Sequence, residues 1–167
     1  MSPEAWLRGP IAGIDPLLQP AAHSFTEVLE DLPPAIERLS DEDLWATPGR
    51  SAPIGYHVAH LAGSVDRLLT YARGESLSPA QQSALDAERK SGERRPSRAE
   101  LLRGLRTTLE QALAQLRATR PDTLLEIRHV GRARLPSTTL GVLFHAGEHA
   151  TRHAGQIRTL MQVLERP

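Results

Sequence analysis

The sequence predicts an all-α fold, a bundle of four long helices in a single domain, and three observations predict it. Apolar residues recur at helical spacing in four stretches, near residues 16–40, 51–74, 97–120 and 137–166. One short and two longer connections with turn chemistry separate them. The chain has 167 residues, enough for one domain with a real core, placed here at about 16–164 within a domain of 1–167.

Each element follows from its own residues. Residues 1–14 form a lead-in segment packed on the body. In the first helix Leu17, Leu18, Ala22, Phe25, Val28 and Leu29 set the apolar face, and Pro33-Pro34 is expected to kink or interrupt it. Residues 41–51 read as a connection with a turn at Pro48-Gly49. The second helix starts near Ser51 or Pro53 and stops near Gly74. Ile54, Val58, Leu61, Ala62, Val65, Leu68 and Leu69 form its apolar stripe. His57, His60, Ser64, Arg67 and Tyr71 form a polar stripe beside it, either solvated or lining a cleft.

Residues 74–97 make a long polar connection in which Ser78-Pro79 caps a short helix to about Arg89, with a mobile stretch at 92–96. The third helix follows a Ser97 cap and carries Leu101, Leu102, Leu105, Leu109, Leu113 and Leu116 until Pro121 ends it. Glu100 near its start and Arg117 near its end suit the helix dipole. Residues 124–135 suit a short hairpin or extended segment. Ser137 then caps the fourth helix, which runs to about Arg166.

Composition narrows the function classes. The net charge is zero, so nothing favours nucleic acid or an anionic membrane as partner. Cysteine is absent, which excludes disulfides, thiolate metal ligands and a cysteine nucleophile. The N-terminal residues lack the basic and apolar blocks of a signal peptide, and no apolar run is long enough to span a bilayer. The chain reads as soluble and cytoplasmic.

The chemistry concentrates in the fourth helix, where His145, His149 and His153 stand four residues apart and share a face. His145 and His153 are about 12 Å apart along a helix axis, while Zn–N bonds are about 2.0–2.1 Å, so only an adjacent pair can share an ion. At about 100° per residue, His153 lies about 55° from the centre of the apolar face, His149 about 95° and His145 about 135°. His149 and His153 therefore border the core, and His145 looks outward. Small residues at Ala146, Gly147, Ala150, Ala154 and Gly155 let a neighbouring helix come close. A third ligand must come from elsewhere, and the second helix offers His57 or His60. A lone helical histidine is usually a surface or hydrogen-bonded core residue; the pairing and the facing cluster set a metal site beside that reading without deciding between them.

Other patterns are weaker. Glu126-Ile127-Arg128-His129 is one of the two Glu-x-x-His motifs a di-iron bundle needs, and it falls in a loop. The His-Glu-x-x-His motif of metalloproteases is missing. Asp66 and Glu148 are candidate bases or acceptors behind a metal ligand, Arg67 and Arg152 candidate anion holders, though exposed carboxylates and solvated arginines are the commoner case. The spacing assigns no role to Tyr71 or Gln156.

Two stretches carry a family resemblance. Tyr56-His57-Val58-Ala59-His60-Leu61-Ala62-Gly63-Ser64-Val65-Asp66-Arg67-Leu68-Leu69 resembles the second-helix motif of the DinB/YfiT-like metalloenzymes. His145-Ala146-Gly147-Glu148-His149-Ala150-Thr151-Arg152-His153-Ala154-Gly155-Gln156-Ile157 resembles their fourth-helix motif. Leu44-Trp45 and Gly131-Arg132-Ala133-Arg134-Leu135-Pro136 are similar to segments of the same branch. The resemblance implies an up-down-down-up four-helix bundle, often a homodimer, with a divalent metal on His60, His149 and His153. It selects His60 over His57, and it leaves His57, His145, Ser64, Arg67, Glu148 and Arg152 as groups behind the ligands or on the substrate side.

Some members of that family are S-transferases that use low-molecular-weight thiols, and related proteins are metal-dependent hydrolases or isomerases. The implied function is metal-dependent activation of a thiol or water toward a small-molecule substrate. Three histidines suit Zn or Ni first, with Fe and Mn as further candidates. The rival reading is a non-catalytic helical bundle that binds a metal or small ligand. A third, a purely structural metal, makes folding depend on the ion.

Overall fold

Helical periodicity resolves into six α-helices and one two-stranded sheet among the residues that the computed structural model describes, 3–89 and 95–165. The expected end of the last helix at Arg166 lies outside the described residues, and so do residues 92–94 of the stretch expected to be mobile. Helix α1 spans Gln19–Ile36, α2 Asp41–Trp45, α3 Ile54–Ala72, α4 Pro79–Arg89, α5 Arg98–Ala118 and α6 Thr139–Leu164. Strands β1, Ile127–Val130, and β2, Leu135–Thr138, pair antiparallel just before α6. No helix among the described residues is long and apolar enough to cross a membrane.

The core lies between the four long helices. Helix α3 packs on α6 and α5, and α1 packs on the same two. Phe25, Leu32, Ile36, Leu61, Leu105, Leu109, Leu116, Leu143 and Ile157 are fully buried there. Burying each such side chain contributes about 1.5–3 kcal/mol relative to leaving it exposed. The lead-in segment packs on α1, where the Ala5 amide donates to Glu27 Oε2 (2.8 Å).

Local chemistry moves several boundaries away from the sequence expectation. A 3-10 turn at Pro16–Leu18, capped by Asp15, precedes α1. Pro33 and Pro34 do not interrupt α1: they sit in its final turns, Pro33 is buried, and Ile36 beyond them is locked in the core. The connection after α1 contains α2, because the Ser40 hydroxyl accepts the Asp43 amide (3.0 Å) and Leu44 is fully buried. The cap of α6 is not Ser137 but Thr138, the last residue of β2, whose side chain accepts from Gly141 N (3.0 Å). Glu126-Ile127-Arg128-His129 leads into β1 rather than lying in a loop.

Close approach of α6 to α1 places the C-terminal histidines. A Cβ on Gly147 would meet the Ala21 Cα at 2.9 Å, so the small residue sets the spacing of the two helices. Gly155 does not share that role; it is exposed, and a Cβ there meets nothing within 4 Å. Two substitutions with the same helix-propensity gain therefore part company. Gly147→Ala is expected to destabilise by about 1–2 kcal/mol, overpacking outweighing propensity. Gly155→Ala is expected to be neutral or to stabilise by up to about 1 kcal/mol. Thermal melts of the two variants beside the parent chain check both signs.

Candidate metal centre

Helices α3 and α6 face each other, and their histidines meet. His60, His149 and His153 each offer one nitrogen, and these atoms lie within 4.8 Å of one another. The ring centroids are 4.5 Å apart for His149–His153, 4.8 Å for His60–His153 and 5.3 Å for His60–His149. The order of burial along α6 follows the helical-wheel angles: His153 is buried, His149 half-buried and His145 exposed. Thus the adjacent pair and one α3 histidine converge, while His145 turns away.

His60 is the α3 member of the group, and His57 stands against His153. His57 Nδ1 lies 3.1 Å from His153 Nδ1, so one of these nitrogens donates to the other. If His153 donates, its Nε2 keeps a lone pair for an ion, and the arrangement of histidine with an outer partner is the one metal ligands use. Tyr56 stacks on His60, centroids 5.6 Å apart and planes 8° from parallel.

The polar stripe of α3 is packed rather than solvated. Ser64 and Arg67 are buried, with Arg67 only 7% exposed. The acidic partner comes from α4, the short helix expected after Ser78-Pro79 within a polar connection. Arg67 Nη1 donates to Glu88 Oε1 (2.6 Å), and Nη2 donates to Glu88 Oε2 (3.0 Å) and to Ser64 Oγ (3.2 Å). Glu88 Oε2 also lies 3.0 Å from His60 Nδ1, and Ser64 Oγ lies 3.2 Å from His60 Nε2. Burial alone pushes the Glu88 carboxyl up, but the hydrogen bonds from His60 and Arg67 prevail and hold it below its ordinary value.

Sequence reasoning missed Glu88. One signal could have found it: Gly63 in the middle of α3. An interior glycine costs about 1 kcal/mol against alanine, and here a Cβ would meet Glu88 Oε1 at 2.3 Å. The missing side chain is the space that the carboxylate occupies. At the other end of α4, Gln81 Nε2 donates to Asp66 Oδ2 (2.8 Å) and to Thr70 Oγ1 (2.7 Å). Asp66 therefore anchors α4.

The remaining candidates lie on the outer face of α6. Glu148 accepts from Arg152 Nε (3.0 Å) and sits 3.2 Å from His145 Nδ1. The Arg152 hydrogen bond lowers its pKa. This exposed trio borders the metal-compatible group without joining it.

The donor set fits a metal. His149 Nδ1 is buried without a hydrogen-bond partner among the described residues, an orphan that a native interior rarely tolerates without a role. Burial first, then the charges of neighbouring His60, His145 and Arg152, push His149 down to about 4. Burial first, then His149, His60, His57 and Arg152, pushes His153 down to about 4 as well. Both are neutral at pH 7, the form that binds metal. His60 keeps 24% of its side chain exposed, so the group reaches solvent.

A mostly helical protein with a three-histidine group shared by two helices is the class that fold and site define. A family model described as the DinB superfamily matches residues 24–157, most of the chain and both histidine helices. The chain belongs to the DinB superfamily. Comparison with curated proteins gives no match.

The lowered histidine pKa values bear on stability. Unfolded imidazoles protonate near 6.5 and folded His149 and His153 only near 4, so the unfolded chain binds more protons between those values. Stability of the metal-free protein is expected to be full above about pH 6.5 and to fall as pH drops toward about 4. His149→Gln is expected to make that slope shallower. Urea titrations across the window, with chelator present, decide it; a level midpoint contradicts it.

Proposed function

We propose that this chain is a divalent-metal-dependent enzyme that activates a thiol or water for S-transfer or hydrolysis, with His60, His149 and His153 as ligands. The observation that carries the reading is the convergence of three imidazoles from two helices to within 4.8 Å, in a group that reaches solvent. Three protein ligands leave a position open, as catalytic sites do, whereas structural sites are closed by four. A divalent metal held there supplies Lewis acidity and lowers the pKa of a bound water or thiol.

The chain's own residues do the rest. His57 holds the ring of His153, Ser64 contacts His60 from the α3 side, and Arg67 acts on His60 through Ser64 and Glu88. Glu148, paired with Arg152, and His145 stand on the exposed side, where a small-molecule substrate enters. Nitrogen donors in this number favour Zn or Ni, with Fe and Mn behind them. The family resemblance adds a low-molecular-weight thiol as co-substrate and a homodimer to the proposal, and the sequence adds a cytoplasmic setting and one domain for the whole chain. Family membership, with α1 and α3 each packed on α5 and α6, supports the up-down-down-up order of a four-helix bundle.

Metal analysis of tag-free protein tests the reading. After incubation with Zn²⁺ or Ni²⁺ and desalting, the parent chain is expected to retain about one equivalent, and His149→Ala to retain almost none while still folding. Conjugation of a low-molecular-weight thiol to an electrophile is expected only with metal. A parent chain that binds no metal overturns the proposal. One that binds metal but turns over no thiol or hydrolysable substrate favours the non-catalytic bundle.

A further inference from the structure

Three features restrict what His60 can do in this fold. Arg67 is buried and offers only donors, so Glu88, which takes a guanidinium nitrogen on each oxygen, is held as an acceptor. An acceptor 3.0 Å from His60 Nδ1 requires a proton on that nitrogen. A neutral imidazole carries one proton, so Nε2 is left with its lone pair. Ser64 agrees with this assignment: its oxygen accepts from Arg67 Nη2, and its own hydroxyl proton is free to point at His60 Nε2, 3.2 Å away.

From this geometry we infer that Glu88 is a positioning residue, which fixes the Nδ1–H tautomer of His60 and leaves Nε2 as its one nitrogen with a lone pair for an ion shared with His149 and His153. Glu88 stands outside the group of nitrogens that can share an ion, so it acts through His60. Gly63 gives the arrangement room: a Cβ there would meet Glu88 Oε1 at 2.3 Å and Arg67 Nη1 at 2.9 Å, and both side-chain ends would have to shift. Helix α4 thereby becomes part of the site: Gln81 pins its first turn to Asp66 and Thr70, and Glu88 in its last turn completes the network. The inference rests on the metal reading only for its purpose; the tautomer itself is a property of the metal-free chain.

The test replaces the acceptor with a group that can also donate. In Glu88→Gln the amide NH₂ can turn to His60 Nδ1, making that nitrogen the acceptor and moving the proton to Nε2. Long-range ¹H–¹⁵N correlation spectra of the metal-free protein are expected to show His60 as Nδ1–H in the parent and Nε2–H in the variant. Zn²⁺ affinity, read by chelator competition, is expected to fall about 10–100-fold. If Glu88→Gln fails to fold, Glu88→Asp keeps an anion for Arg67 while drawing it back from His60, and the same loss of affinity is expected. A parent His60 found as Nε2–H overturns the inference, as does a folded variant with unchanged tautomer and affinity. A parent that binds no Zn²⁺ defeats the metal reading instead, and the spectra still decide the role of Glu88.

Discussion

A guanidinium taken out of water between two helices needs an anion in contact with it, and much of this structure answers that need. Removing one member of a buried ion pair typically costs about 3–5 kcal/mol, because the survivor stays charged and unpaired. Arg67 is such a survivor in waiting, and Glu88 is its partner. The pair dictates that α4 folds back along α3, that Gly63 carries no side chain, and that an acceptor sits beside His60. A stability requirement and a site geometry are met by one carboxylate.

On the other side of the cluster, α6 does its work by rotation. Three histidines at a spacing of four drift around the helix by about 40° per step, since four residues at about 100° each overshoot one turn. The drift sorts them: His153 is drawn into the core, His149 stands at its edge and His145 meets solvent and Glu148. Gly147 lets α1 approach close beside this series, and the packing fixes the rotation of α6.

Much of this was legible in the chain itself, for identifiable reasons. Long amphipathic stretches report their buried face directly, so the core leucines of α5 and the inward turn of His149 and His153 follow from periodicity. His57 and His60 differ by only about 60° around their helix, which a wheel does not separate; distance does, and distance is tertiary. Ser137 and Thr138 both have capping side chains; β2 runs through both, and the helix begins only after Thr138. Pro33 and Pro34 look like breakers until the burial of Ile36 outweighs their cost. Glu88 was hidden because α4 is polar and short, and nothing in its own pattern says which helix it lies against.

The gap at Gly63 has a consequence for how this protein can vary. A side chain there, a neutral residue at 67 or an apolar one at 88 each breaks the same contact. The three positions, spread over 26 residues and two helices, therefore bear on one contact, and a change at any of them is felt at the other two.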